Sequence, residues 1–146
     1  MCLNLDFTLA MFGSIMIIGG SLLRVRCFQI MGKFFTLEFA VFDDHQLATT
    51  GPYSIVRHPS YSGAVVMYAG LVLWHAFPGS YLMESGILDA VLGKVVVSTL
   101  VLQSSTIIVA LFLRSRDEDD AMHKKFGKTW EEWAKKVPYA VIPYLL

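Results

Sequence analysis

The stretch VVVSTLVLQSSTIIVALFL, residues 95–113, decides the fold class. It carries no charge over 19 residues. At a rise of about 1.5 Å per residue, a helix of that length crosses a hydrocarbon core of about 30 Å. Its polar members, Ser98, Thr99, Gln103, Ser104, Ser105 and Thr106, are expected to face other helices rather than lipid. Extended back to Val91, this is the clearest of three spans. The second covers residues 61–77 and is closed by Pro78-Gly79; the first covers residues 7–23. Asp6, not a basic residue, precedes the first span, which argues against a secretory signal peptide. Composition agrees: 55% of residues are hydrophobic and only 16% charged, with mean hydropathy +0.54, outside the range of ordinary soluble domains. The chain reads as an all-α integral membrane protein of about three transmembrane helices, with residues 1–146 forming a single domain.

Downstream of the third span the character changes. Residues 114–125 read as the same helix continuing out of the membrane, ended by Gly127. Thr129-Trp130-Glu131-Glu132 has the form of a capping box. Trp130, Trp133 and Val137 then share one face, and Pro138 ends the helix. Tryptophan opposite lysine and glutamate gives a C-terminal amphipathic interfacial helix. Residues 139–146 are apolar around Pro143 and are expected to pack back onto the protein or the lipid.

Charge sets the orientation. Arg24, Arg26, Lys33, Arg57, Arg114, Arg116 and the tail lysines fall on one side of the three spans, and only Lys94 on the other. The positive-inside rule makes the basic side, with the C-terminus, cytosolic. A net charge of zero and the lack of a basic stripe argue against nucleic acid as a partner. Cys2 and Cys27 stand at opposite ends of the first apolar segment, so a disulfide is not expected, and neither has metal-ligand spacing. Gly13, Gly19 and Gly20 mark faces that permit close approach of a helix, including one from a second copy in a homo-oligomer. Residues 35–42 hold no helical period and are expected to be irregular or briefly extended. A polar loop with Glu84, Gly86 and Asp89 is expected after Pro78-Gly79.

Between the first two spans lies GPYSIVRHPSYSG, residues 51–63, dense in Gly, Pro, His, Tyr and Arg. Gly51-Pro52 is a turn signal. Pro59 drives His58 away from helical angles yet is welcome in a first helical turn, so a helix is expected to open at Pro59. That places the backbone N–H groups of Ser60 and Tyr61 beside His58, Tyr53 and Arg57, a setting that favours an anion. The same residues also read as a helix cap at the membrane surface, with Arg57 snorkelling to lipid phosphate.

A second polar island, residues 114–120, lies on the same side of the membrane by this reading. Arg114 and Glu118 are four apart and share a helix face, a cation and an anion suited to a zwitterionic ligand. Asp117 and Asp120 read as a solvated acidic face. No HExxH motif, nucleophile elbow, P-loop or dinucleotide fingerprint is present, so a serine or metal hydrolase has no support.

Together the two islands resemble the signature of the isoprenylcysteine carboxyl methyltransferase family. The first gives Gly51-x-Tyr53 and Arg57-His58-Pro59-x-Tyr61-x-Gly63. The second gives Arg114, the acidic pair Glu118-Asp119, Met122, Phe126-Gly127, Trp130, Val137-Pro138 and Pro143. The likeness covers roughly residues 20–146. It implies an S-adenosylmethionine-dependent methyltransferase of the endoplasmic reticulum membrane, acting on the C-terminal prenylcysteine carboxylate of processed CaaX proteins. By the resemblance, cofactor contacts fall on His45, Gln46, Leu47, Ala48, Tyr53, His58, Pro59, Ser60, Tyr61 and Glu118. Arg114 is the catalytic residue that serves the substrate carboxylate, and Arg57 matches a position with no assigned role. Partners are prenylated protein C-termini and membrane lipid. Two departures stand out. Asp119 occupies a position where the family usually has glutamate. Known members also carry additional spans ahead of the first one seen here, so the chain reads as a short, N-terminally reduced member. Two other readings stay open: methylation of another membrane-embedded acceptor such as a phospholipid amine, which needs a base such as His58 or Glu118, and a non-catalytic membrane fragment.

Overall fold

The structure, a computed structural model, describes residues 2–32 and 47–144. The segment 35–42 and the candidate residues His45 and Gln46 lie outside the described residues. All regular structure among the described residues is helical.

Helix α1 runs Cys2–Met31 and is followed by Gly32 at φ +53°, a left-handed residue that closes a helix without a Cβ penalty. It therefore continues two turns beyond the boundary expected at residue 23. Arg24 and Arg26 do not interrupt it, because arginine is a good helix former with a long apolar stem. A 3₁₀ turn spans Gly51–Ser54. Helix α2, Pro59–Ala76, opens on the proline as expected and stops short of Pro78 and Gly79. Where a polar loop was expected, a short helix α3 forms over Tyr81–Glu84. Ser80 caps it, its hydroxyl oxygen accepting from the Met83 amide at 3.4 Å and donating to the His75 carbonyl at 2.7 Å. Helix α4, Val91–Phe126, is the uninterrupted helix anticipated for the third span and its extension. Gly127, at φ +52°, turns the chain directly into α5, Lys128–Lys136. Since α5 starts at Lys128, Thr129 is inside the helix and no side-chain cap forms; the expected capping box is absent. Glu131 instead meets His123 at 2.9 Å. Three segments, Phe7–Met31, Pro59–Glu84 and Val91–Phe126, are long and apolar enough to cross a membrane.

The chain divides into two compact units. The first comprises Met1–Ser21 and Ala64–Val109. Here α1 and α2 cross backbone to backbone at Gly13 and Gly70. A Cβ on Gly70 would lie 2.7 Å from the Gly13 carbonyl oxygen and 2.8 Å from the Met16 Cβ. Gly13 thus provides the close approach expected of it, and Gly20 is buried, whereas Gly19 has nothing within 4 Å. Along α4 the hydroxyls of Thr99, Ser104, Ser105 and Thr106 each donate to the carbonyl four residues back, at 2.8–2.9 Å. They are satisfied inside their own helix, so they need no partner helix and lie half-buried or exposed.

The second unit comprises Leu22–Gly63 and Ala110–Leu146. Its core is built from Cys27, Tyr53, Val56, Pro59, Val137 and Val141, with Ser60 and Ser115 also buried. Tail residues 137–141 pack back onto this core, the protein rather than the lipid of the two surfaces expected for the apolar tail. The aromatic face of α5 is turned inward too: Trp130 packs against His123, ring centroids 5.1 Å apart, and under the Arg57 guanidinium. Lys128, Glu131, Glu132, Lys135 and Lys136 face out.

Candidate active site

Both polar islands belong to the second unit, and they meet at His58. Proline at position 59 leaves the His58 carbonyl as the cap of α2, accepting from the amides of Tyr61 at 2.9 Å and Ser62 at 3.3 Å. The Tyr61 amide is therefore already used, and the anion site expected at that N–H is not formed by it. The His58 ring stacks on Tyr61, centroids 5.4 Å apart and nearly parallel. Its Nδ1 lies 3.3 Å from Glu118 Oε2 and its Nε2 lies 3.0 Å from Asp119 Oδ1. Only the imidazolium form can donate from both nitrogens. Burial pushes the His58 pKa down, but hydrogen bonds and charge from the two carboxylates outweigh it and hold the pKa above its ordinary value.

Glu118 and Asp119 are neighbours on α4, so their side chains leave the helix about 100° apart. That divergence lets the pair grip one ring from two directions. Glu118 Oε1 also accepts from the Tyr61 hydroxyl at 2.7 Å and from Arg114 Nε at 2.8 Å. Asp119 Oδ2 accepts from Arg57 Nε and Nη2, each at 3.0 Å. The i,i+4 pairing of Arg114 with Glu118 is thus realised, and it sets the plane of the guanidinium fork. Asp117, Asp120 and Arg116 are exposed, as a solvated face requires.

Arg57 reaches a third element. Its Nη1 donates to the carbonyls of Val137 at 3.1 Å and Pro138 at 2.6 Å. The backbone continues the pattern: the Arg57 amide donates to Tyr139 O at 2.9 Å and the His58 amide to Ala140 O at 2.8 Å. The Ser62 hydroxyl donates to Val141 O. Five consecutive carbonyls, 137–141, are therefore held by donors from residues 57–62.

The remaining candidates are placed around this cluster. Tyr53 sits in the 3₁₀ turn, 6% exposed, in the same buried core as Cys27. Burial, reinforced by the neighbouring Cys27, Glu118 and Tyr61, raises its phenol pKa far above the usual range. Gly51, at φ +62°, makes the turn and leaves only 2.9 Å between a would-be Cβ and Ile30 Cδ1. Pro59 and Ser60 are buried beneath the cluster, the Ser60 carbonyl accepting from Arg24 Nη1 at 3.4 Å. Leu47 and Ala48 are half-buried ahead of the turn and bring no polar group to the cluster. Of the sequence candidates, His58, Tyr61, Arg114 and Glu118 make direct side-chain contact with one another. Two central residues were not among them, Arg57 and Asp119. The available signal was charge: each is a charged residue directly beside a selected one, Arg57 before His58 and Asp119 after Glu118.

The donor set fits a sulfonium donor that carries an amino-acid group. Glu118 provides an anionic group for cationic or hydroxyl groups, Tyr61 an aromatic face, and Arg114 a planar fork for a carboxylate.

Comparison with known proteins follows the same outline. A family model described as phospholipid methyltransferase matches residues 8–129. Protein-S-isoprenylcysteine O-methyltransferase B of Arabidopsis thaliana is 30% identical over 134 residues, covering 89% of this chain and 57% of that protein. A probable protein-S-isoprenylcysteine O-methyltransferase of Oryza sativa subsp. indica is 26% identical over 137 residues, covering 91% of this chain and 60% of that protein. The Delta(14)-sterol reductase TM7SF2 of Mus musculus is 30% identical over 104 residues, covering 68% of this chain and 20% of that protein. The chain thus spans somewhat more than half the length of the plant relatives. No solved structure matches. The family match takes in the His58 motif, the α4 carboxylates and most of each membrane-length helix, and the chain belongs to the phospholipid methyltransferase family, with protein-S-isoprenylcysteine O-methyltransferases among its relatives.

Proposed function

We propose that the chain transfers a methyl group from S-adenosylmethionine to the C-terminal carboxylate of a prenylated cysteine, at the cytosolic face of the endoplasmic reticulum membrane. The family match and the names of the plant relatives support methyl transfer and a prenylcysteine acceptor. The observation that carries the choice of acceptor is the state of His58: both of its nitrogens face carboxylates, at 3.3 and 3.0 Å. With both ring nitrogens turned to carboxylates, and Glu118 itself engaged by Tyr61, Arg114 and His58, neither candidate base is open to an incoming amine. A phospholipid amine has to lose a proton to react, whereas a carboxylate is already ionised at neutral pH.

S-adenosylmethionine, when bound, supplies a methyl group on a sulfonium, already activated for displacement. The work left to the protein is alignment. Tyr53, His58, Tyr61 and Glu118 hold the donor in this reading, with Pro59 and Ser60 as the buried floor and residues 45–48 completing the contact. Arg114, its Nε committed to Glu118, orients the acceptor carboxylate. The prenyl chain enters from the bilayer, where moving from lipid to protein costs little. As in the sequence reading, residues 1–146 act as one methyltransferase domain.

The test incubates purified protein in detergent with methyl-labelled S-adenosylmethionine and, in parallel, a farnesylcysteine analogue or phosphatidylethanolamine. A base-labile methyl ester on the farnesylcysteine analogue is expected. Label only in phosphatidylethanolamine overturns the acceptor assignment, and no label in either arm, with no donor binding, overturns methyl transfer.

A further inference from the structure

Arg57 and Asp119 are the two central residues that no role covers so far. Each touches more than one part of the cluster. Asp119 joins Arg57 to the His58 ring, at 3.0 Å on each side. Arg57 joins Asp119 to the 137–141 strap through both its side chain and its amide. Their side chains are only 15% and 16% exposed, so each contact is shielded from competing water. Arg57 directs Nε and both Nη atoms into these contacts, a geometry matched to the planar guanidinium and not to an ammonium.

The strap matters because of what it grips. Its carbonyls take the amides of Arg57 and His58 and the hydroxyl of Ser62, which brackets the turn that aims the His58 ring. On the other side of that ring, Glu118 is shared with Tyr61 and Arg114. A ring free to rotate away from Asp119 would also release Glu118 from one of its three donors.

We propose that Arg57 and Asp119 are positioning residues: they fasten the 137–141 strap to residues 57–62 and fix the plane of the His58 ring against Glu118, without themselves touching the methyl donor. The link from this arrangement to donor affinity rests on the function proposed above; the fastening of the strap does not.

The test uses the full chain in detergent, with Arg57→Gln and Asp119→Asn as disrupting variants and Arg57→Lys and Asp119→Glu as conservative ones. The first readout is hydrogen exchange at the Arg57 and His58 amides, with no ligand present. Exchange about tenfold faster in Arg57→Gln is expected, with the Gly13–Gly70 crossing unchanged. The second is the split between KM and kcat for S-adenosylmethionine. KM is expected to rise about tenfold in both disrupting variants, with kcat changed much less. Asp119→Glu is expected to restore KM, because a longer carboxylate still spans Arg57 and His58. Arg57→Lys is expected to restore little, since one ammonium cannot serve the carboxylate and the strap together. Unchanged amide exchange in Arg57→Gln overturns the fastening. Faster exchange with KM unchanged, or an equal loss in Asp119→Glu and Asp119→Asn, overturns the positioning role. A wild-type chain that turns over no methyl donor overturns the proposed function and, with it, the link to donor affinity, while the exchange result still decides the fastening.

Discussion

The imidazole of His58 and the carboxylate of Asp119, 61 residues apart in the chain, meet at 3.0 Å. Glu118 closes on the opposite nitrogen, so the buried ring lies between two carboxylates that favour its protonated form.

That arrangement has a pH signature. The His58 pKa is raised in the folded protein above its unfolded value near 6.5. The stabilisation it contributes is fully present below about pH 6.5 and is lost as pH rises through the folded pKa. Thermal unfolding in detergent should therefore show the melting temperature falling on the alkaline side, and His58→Gln should flatten that slope. A wild-type profile with no alkaline loss would count against the imidazolium.

Tyr61 gives Glu118 a short hydrogen bond of 2.7 Å. Tyr61→Phe keeps the ring stacked on His58 and deletes only the hydroxyl. A bond to a charged acceptor is worth about 1.5–3 kcal/mol. Binding of S-adenosylmethionine, measured by calorimetry, should weaken by a comparable amount; unchanged affinity would place Tyr61 outside the donor site.

Arg114 and Glu118 are assigned to different ligands, yet they touch at 2.8 Å. Arg114→Ala should raise KM for the prenylcysteine analogue more than for the donor, and Glu118→Ala should do the reverse. Because the residues share a bond, the double variant should depart from additivity, by about 0.5–3 kcal/mol in a double-mutant cycle. Equal effects of each substitution on both substrates would end the division of labour.

In the first unit, the α1–α2 crossing makes a clean comparison. Gly70→Ala forces a Cβ to within 2.7–2.9 Å of α1 backbone and Met16. Overpacking of this kind costs about 1–3 kcal/mol. Gly19→Ala meets nothing within 4 Å and should be neutral or slightly stabilising, since alanine is the better helix former. Melting temperatures of the two variants, side by side, check the crossing.

The indole N–H groups of Trp130 and Trp133 are covered, and neither has a hydrogen-bond partner among the described residues. Replacing either by phenylalanine keeps an aromatic ring and removes a buried donor with no acceptor. Such a donor costs about 1–3 kcal/mol. Trp130→Phe and Trp133→Phe should leave stability unchanged or improve it; a drop of several degrees in melting temperature would reveal an acceptor for that N–H.

Much of this arrangement was legible because its determinants are local. Pro59 announces the start of α2 through its own ring, and Arg114 and Glu118 share a face because a helix repeats every 3.6 residues. The charge-free run after Val95 identified its helix by length alone. What escaped was of two kinds. Helix ends were misplaced where a residue tolerates either state: Arg24 and Arg26 stay helical, and Gly127 replaces Thr129 at the N-cap position of α5. The roles of Arg57 and Asp119 depend on partners 62 and 80 positions apart. No periodicity specifies a carbonyl acceptor at Val137, so that partnership emerges only once the chain is folded.

The capture of carbonyls 137–141 also has a consequence in time. Arg57 and His58 leave the ribosome early, but the carbonyls of Tyr139 and Ala140 that accept from their amides are made some 80 residues later. At about 5–20 residues per second, that is a wait of several seconds. Until residues 137–141 are made, the Arg57 and His58 amides lack the acceptors they have in the folded protein.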